Sequence, residues 1–181
     1  TTLCKDLLMR PGGWLEQFEN GFILVFAGNR HCAQEYERMG VPGKYVHSSL
    51  RTDILEEWWN HCNDLRDKGK VPPKTLMIFD DVLVTASSKK YKQTRTSQEF
   101  YLNKIWSEGR HQEISALLSV QSMTVALPFV RCSDCFVCAP ASLYAHQDIK
   151  MLTENYCPCD RKTALALSEK FGAHEFMCCD F

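Results

Sequence analysis

No run of apolar residues in this 181-residue chain approaches the roughly 20 that a membrane-spanning helix needs, which excludes a protein anchored in that way. An excess of one charge is missing as well. Lys plus Arg number 21 and Asp plus Glu 22, a net charge of −1, so no global positive field advertises a nucleic-acid partner. Any such contact has to come from a local patch. Linkers, internal repeats and low-complexity stretches are also absent. Hydrophobic residues make up 45%, charged ones 24% and aromatics 11%, globular values that exclude a disordered or collagenous chain. The length suits a single domain over 1–181, large enough to bury a core. There is no initiating Met and no signal-peptide apolar segment, so the protein is not expected to be secreted. The six histidines form no H-E-x-x-H or comparable pair and receive no metal role.

Cysteine is what the chain does have. Ten occur, at 4, 32, 62, 132, 135, 138, 157, 159, 178 and 179. Most lie in apolar runs and no secretory signal precedes them, so reduced thiols in a cytosol-like compartment are expected. Cys132-x-x-Cys135-x-x-Cys138, with Cys157-Pro158-Cys159 beyond, invites a zinc or iron–sulfur reading. Geometry argues against it. On a strand over 134–139, Cys132 and Cys138 point to one side and Cys135 to the other, and buried Cys packs as a small hydrophobe.

Helical stretches alternate with short apolar runs. Leu3, Cys4, Leu7 and Leu8 recur at helical spacing, so the chain opens in a helix. Phe22 to Ala27 is a continuous apolar run stopped by Gly28-Asn29, the signature of a strand buried on both faces. Leu50, Ile54, Leu55, Trp58, Cys62 and Leu65 share one face of a helix ending near Gly69, and Pro72-Pro73 blocks its continuation. Thr75 to Phe79 forms a second buried strand running into Asp80-Asp81. Thr96-Ser97-Gln98-Glu99 has capping-box form and opens a helix closing at Gly109. Further strands are expected over 114–120, 136–139 and 176–179, with helices over 143–155 and 161–171. Strands separated by helical crossovers imply an α/β fold with a mainly parallel sheet flanked by helices. Ligands of such sheets bind at the carboxyl ends of the strands, where Asp80, Asp81 and Gln121 fall.

Two adjacent carboxylates ending a buried strand repel each other and are costly to desolvate, so they call for a cation or a water-lined site. Mg²⁺ held through water by Asp80 would offset the repulsion. Asp81 would then be free to orient and deprotonate an attacking water, as in the Walker B arrangement of ATP-hydrolysing P-loop NTPases. A surface turn that merely uses Asp after a strand reads equally well from the dipeptide alone.

The start of the chain bears on that choice. In a phosphate-binding loop, G-x-x-x-x-G-K-S/T, the hydroxyl after Lys ligates Mg²⁺ and a helix follows. A chain cut immediately after that Lys would begin Thr1-Thr2-Leu3 and continue as an amphipathic helix, as this one does. Thr1 and Thr2 are then candidates for nucleotide binding and Thr1 for Mg²⁺, the alternative being ordinary first-turn residues. The preceding strand and the glycine-rich loop with its Lys are missing from the sequence, so this polypeptide by itself is expected to bind ATP poorly and to be inactive. Gln121, after strand 114–120, is placed to reach a γ-phosphate or the attacking water. Arg110 and Arg131 are placed to read phosphate charge in their own site or a neighbour's; singly, each could be a surface cation.

The ordered set Thr1-Thr2-Leu3, Ile78-Phe79-Asp80-Asp81, Gly109-Arg110-His111-Gln112-Glu113-Ile114-Ser115, Ser119-Val120-Gln121-Ser122 and Leu127-Pro128-Phe129-Val130-Arg131-Cys132-Ser133-Asp134 resembles, over nearly the whole chain, the DNA-packaging ATPases of poxviruses and other large DNA viruses. These belong to the FtsK–HerA superfamily of P-loop motors, and the Gly-Arg-His block before a strand ending in Gln is the most specific element. The resemblance implies a RecA-like P-loop NTPase fold, ATP and Mg²⁺ as cofactors, and translocation of double-stranded DNA into a viral capsid. Asp80 matches the Mg²⁺-linked acid, Asp81 the catalytic carboxylate and Gln121 the sensor glutamine. Arg110 or Arg131 matches an arginine acting on a neighbouring subunit's nucleotide. A homo-oligomeric ring, a capsid or portal vertex as partner, and residence at the assembly site in host cytoplasm or in the virion follow from the same likeness. The Cys-rich run 131–138 departs from the family pattern.

Between 87 and 110, six cations (Lys89, Lys90, Lys92, Arg95, Lys104, Arg110) face two acids (Glu99, Glu108), an excess of +4. Lys89, Lys90, Lys92 and Arg95 form either a DNA-gripping loop or a solvated basic one. Two other functions fit parts of the sequence: a cellular FtsK/HerA-like DNA pump, and a non-catalytic Cys-rich module stabilised by metal.

Overall fold

The computed structural model describes residues 2–18, 21–82, 92–120, 137–140, 160, 162–163, 166 and 176–179. The chain divides into two compact units, Thr1–Val120 and Gln121–Phe181.

In the first unit, helices α1 (Thr2–Met9) and α2 (Trp14–Gln17) precede strand β1 (Phe22–Ala27). Helix α3 (Arg30–Arg38), the short strand β2 (Val46–His47), helix α4 (Thr52–Asp67), strand β3 (Thr75–Asp80), helix α5 (Lys92–Glu108) and strand β4 (Ile114–Ser119) follow. The four strands make one sheet in the order β2-β1-β3-β4, every pair parallel. The α/β fold with a parallel sheet flanked by helices is therefore the one its alternation of apolar runs implies.

Side chains alternate across a strand, so β1 and β3 each present one set to each face. Ile23, Val25, Ala27, Leu76 and Ile78 pack with Leu8 of α1 and with Ala33 and Tyr36 of α3. The opposite face is aromatic. Phe26 stacks on Phe79 with centroids 5.3 Å apart and planes 9° apart, Phe79 meets Trp106 of α5 at 5.8 Å, and Phe22 meets Trp58 of α4 at 4.9 Å. Phe26 and Phe79 are fully buried, each worth about 1.5–3 kcal/mol of transfer free energy. The two central strands are thus sandwiched between helical layers.

Helix ends follow local chemistry. Asn29 caps α3, its side-chain oxygen accepting from the Cys32 N–H at 2.9 Å. Gly69, at φ +68°, ends α4 in a Schellman motif, with Gly69 N–H to the Arg66 carbonyl at 2.8 Å and Lys70 N–H to the Leu65 carbonyl at 2.9 Å.

Two expectations shift, and one stretch that carried no expectation proves structured. The buried stripe of α4 is Leu55, Trp59 and Cys62, while Ile54, Trp58 and Leu65 are half-buried at its flanks. Helix α5 begins at Lys92 rather than Thr96, because Lys92, Gln93 and Arg95 are good helix formers and nothing stops the helix short of them. Residues 30–47, which show no clear period, hold α3 and β2.

In the second unit, β5 (Val137–Pro140) and β6 (Phe176–Cys179) pair antiparallel, Cys138 opposite Cys178. Pro140 is the last residue of β5, one position past the expected strand end. Residues 162–163 and 166 are helical, as expected there, and the helix expected over 143–155 lies outside the described residues.

Candidate functional site

Every residue of β3 is buried, and its apolar run ends in a carboxylate: Asp80 is 1% exposed. It shares strand parity with Leu76 and Ile78, which turns its side chain toward the α1 and α3 layer. There the Tyr36 hydroxyl donates a hydrogen bond to Asp80 Oδ2 at 3.0 Å. Tyr36 is itself fully buried. Burial first, then the neighbouring Cys4 and Asp80, push its phenol far above the usual tyrosine range, so it stays a neutral donor. Cys4, in the first turn of α1, also hydrogen-bonds Tyr36, and burial raises its thiol. The first turn of α1 therefore lies beside the carboxyl end of β3. Lys5 pairs with Glu35 of α3, whose carboxyl that contact holds below its usual range, so α1 and α3 are joined twice.

Asp81 goes the other way. Its backbone is left-handed, φ +56°, a conformation Asp tolerates better than most residues, and its side chain is exposed. The Asp81 N–H donates to the Ser119 carbonyl at 3.0 Å, and the Gly28 N–H donates to the Asp80 carbonyl at 2.8 Å. The carboxyl ends of β1, β3 and β4 are stapled together around the pair. A turn of one residue thus sends two neighbouring carboxylates into different surroundings, one in the core and one in water. This relieves the repulsion that made the dipeptide notable in sequence.

The pair offers hard oxygen donors. Mg²⁺ keeps several waters and binds through one or two carboxylates and substrate phosphates rather than a protein cage. Asp80 and Asp81 fit that demand. Among the described residues, no group of three or more His, Cys, Asp or Glu is placed to hold a metal ion. Cys132 and Cys135 lie outside the described residues.

Arg110 is not brought to the pair. It is exposed, on a 3₁₀ turn (Gly109–Gln112) that enters β4 from the amino end. A six-residue strand separates it from the Asp80 edge, about 20 Å at 3.3 Å per residue. The turn is held firmly: Arg66 of α4 donates to the His111 carbonyl, and the buried Gln112 Nε2 donates to Asn63 Oδ1 at 2.6 Å. Thr2 lies in α1, and Lys92 and Arg95 lie in α5 rather than in a loop before it. Thr1, Lys89, Lys90, Gln121 and Arg131 lie outside the described residues.

Two residues at this edge escape a reading of the sequence. Tyr36 sits on a short charged helix, where the only signal is an aromatic three residues after Ala33. Gly28 reads as a strand stop, whereas its lack of a side chain is what the edge needs: a Cβ there would lie 2.3 Å from the Asp81 carbonyl oxygen. No described helix is long and apolar enough to cross a membrane.

No protein-family model matches the chain, and no curated protein matches it in sequence. Solved structures do. The genome packaging NTPase B204 from Sulfolobus turreted icosahedral virus 2, in complex with AMP, is similar at a TM-score of 0.60 and 15% identity, over 92% of this chain and 80% of that one. B204 from Sulfolobus turreted icosahedral virus, a DNA-packaging ATPase, is similar at 0.59 and 12% identity over the same shares. The ATP-gammaS complex of the first protein gives 0.54 and 13% identity, over 92% and 79%. The chain shares the fold of these packaging NTPases.

Proposed function

We propose that this chain is the ATPase domain of a viral genome-packaging motor, hydrolysing Mg²⁺-ATP to move double-stranded DNA into a capsid. The observation that carries the reading is the split carboxylate pair. Asp80 is buried and held by Tyr36, Asp81 is exposed, and both stand at the carboxyl edge of a parallel sheet, where α/β folds bind their ligands. The fold shared with B204, which was solved with AMP and with ATP-gammaS, supports it.

Asp80, with Thr1, would hold Mg²⁺, whose chemistry is to neutralise charge on the transferring phosphoryl group. Asp81 reaches water directly and would orient the nucleophile and accept its proton. Thr2 would line the nucleotide, and Gln121 would sense the γ-phosphate. Arg110 stands a strand's length from its own chain's carboxylates, so its place in the mechanism would be on a neighbouring subunit's nucleotide, in a homo-oligomeric ring. Arg131 is the second candidate for that task. Lys89, Lys90, Lys92 and Arg95 would contact the DNA backbone, and the motor would work at a capsid or portal vertex, in host cytoplasm or the virion.

The test is Asp81→Asn in the full-length protein. Loss of a positioned general base lowers hydrolysis about 10²–10⁴-fold while nucleotide affinity holds. Hydrolysis at the parental rate would reject the assignment.

A further inference from the structure

We infer that Tyr36 is a positioning residue for Asp80: its buried hydroxyl fixes the orientation of the carboxylate that would hold Mg²⁺. The inference rests on the packaging-ATPase reading above and extends it to a residue outside the nucleotide motifs. Three observations carry it. Tyr36 comes from α3, 44 positions from Asp80, yet its hydroxyl lies 3.0 Å from Asp80 Oδ2. Both residues are buried, at 0% and 1% exposure, so water does not compete for the bond. A hydrogen bond to a charged group in such surroundings is among the stronger ones.

The second partner of the hydroxyl is Cys4, so Tyr36 also joins the first turn of α1 to the end of β3. A carboxylate on a strand end has two side-chain torsions to fix. The strand sets the backbone, and the phenol, held rigid by the core around Val25 and Ile78, sets the rest. Groups of this kind commonly change metal affinity by about 10–100-fold when removed. Of the two residues, Asp80 is the one that would contact the metal, so Tyr36 acts through its neighbour.

The test titrates Mn²⁺ into the full-length protein mixed with stoichiometric AMPPCP, following the decline of the free Mn²⁺ resonance. Tyr36→Phe should raise the half-saturating Mn²⁺ concentration about tenfold. Asp80→Asn should raise it at least as much. The double variant removes the buried charge together with its donor and should match Asp80→Asn alone, since the hydroxyl then has no carboxylate to orient. A residue that only packs the core would instead weaken both backgrounds equally, so the double variant decides the matter even if Tyr36→Phe proves unstable. Unchanged Mn²⁺ affinity in Tyr36→Phe, with affinity abolished in Asp80→Asn, overturns the positioning role and leaves the ATPase reading standing. Unchanged affinity in Asp80→Asn, or a parent that binds no Mn²⁺, overturns both.

Discussion

Gly28 and Asp81 meet backbone to backbone at the carboxyl edge of the sheet, and the Asp81 carbonyl oxygen occupies the space a side chain at position 28 would need. The glycine lets β1 close on the turn that points the two carboxylates apart. Because the obstacle is backbone, no rotamer change can relieve it.

Gly28→Ala should therefore destabilise the fold by about 1–3 kcal/mol, the usual cost of overpacking. Urea unfolding of the full-length protein measures this. A midpoint equal to that of the parent would mean the edge is looser than described.

Subunit mixing addresses Arg110. The residue is exposed, so Arg110→Ala should change stability by no more than about 0.5 kcal/mol. Hydrolysis should nevertheless collapse. Mixing Arg110→Ala subunits with Asp81→Asn subunits should restore part of it, because some interfaces then combine an intact Arg110 with an intact Asp81. Lack of recovery in mixed assemblies would remove Arg110 from a role between subunits.

Alkaline pH acts through the buried thiols. Burial pushes Cys62 from 9.0 up to about 11, and Cys4 also upward. The folded state then holds these protons more tightly than the unfolded one, so their contribution is intact below pH 9.0 and disappears as pH rises toward about 11. The urea midpoint should fall as pH climbs through that window, and Cys62→Ala should flatten the decline. An equally steep decline in Cys62→Ala would assign the effect to other groups.

Salt dependence tests the basic segment. Neutralising Lys89, Lys90, Lys92 and Arg95 together should flatten the log–log salt slope of DNA binding by about 0.9 for each duplex phosphate they neutralise, roughly 3 to 4 units in all. Basal hydrolysis should persist. The same slope in parent and variant would make these residues solvated surface.

The sequence is most readable where one physical effect dominates. Phe22–Ala27 and Thr75–Asp80 are apolar almost throughout because helices cover both faces of the sheet, and each run is legible almost to its ends. The Gly69 stop is equally plain, since a Schellman turn favours a glycine. Helix α3 is hidden. Of its nine residues only Ala33 and Tyr36 are buried, too few for a period to show. Trp59 is hard to pick out because Trp58 beside it is also apolar, and adjacent tryptophans blur the phase of a helix by about 100°. At the site, Asp80 and Asp81 stand out by their place after a buried strand. Their opposite surroundings do not, because these depend on a left-handed turn and on a tyrosine 44 positions upstream.

The clamp on the Arg110 turn has a mechanical side. The Thr75 N–H at the base of β3 donates to the Glu113 carbonyl at 2.9 Å, so the strand that ends in Asp80 begins against the same turn. From Arg110 to Asp80 the path runs through one fully buried strand without a hinge. The strand is a short stiff rod with the Arg110 turn at one tip and a carboxylate at the other. In the ring proposed above, that rod would set the spacing between successive nucleotide sites, and a stroke at one site would be passed on as displacement of a whole subunit.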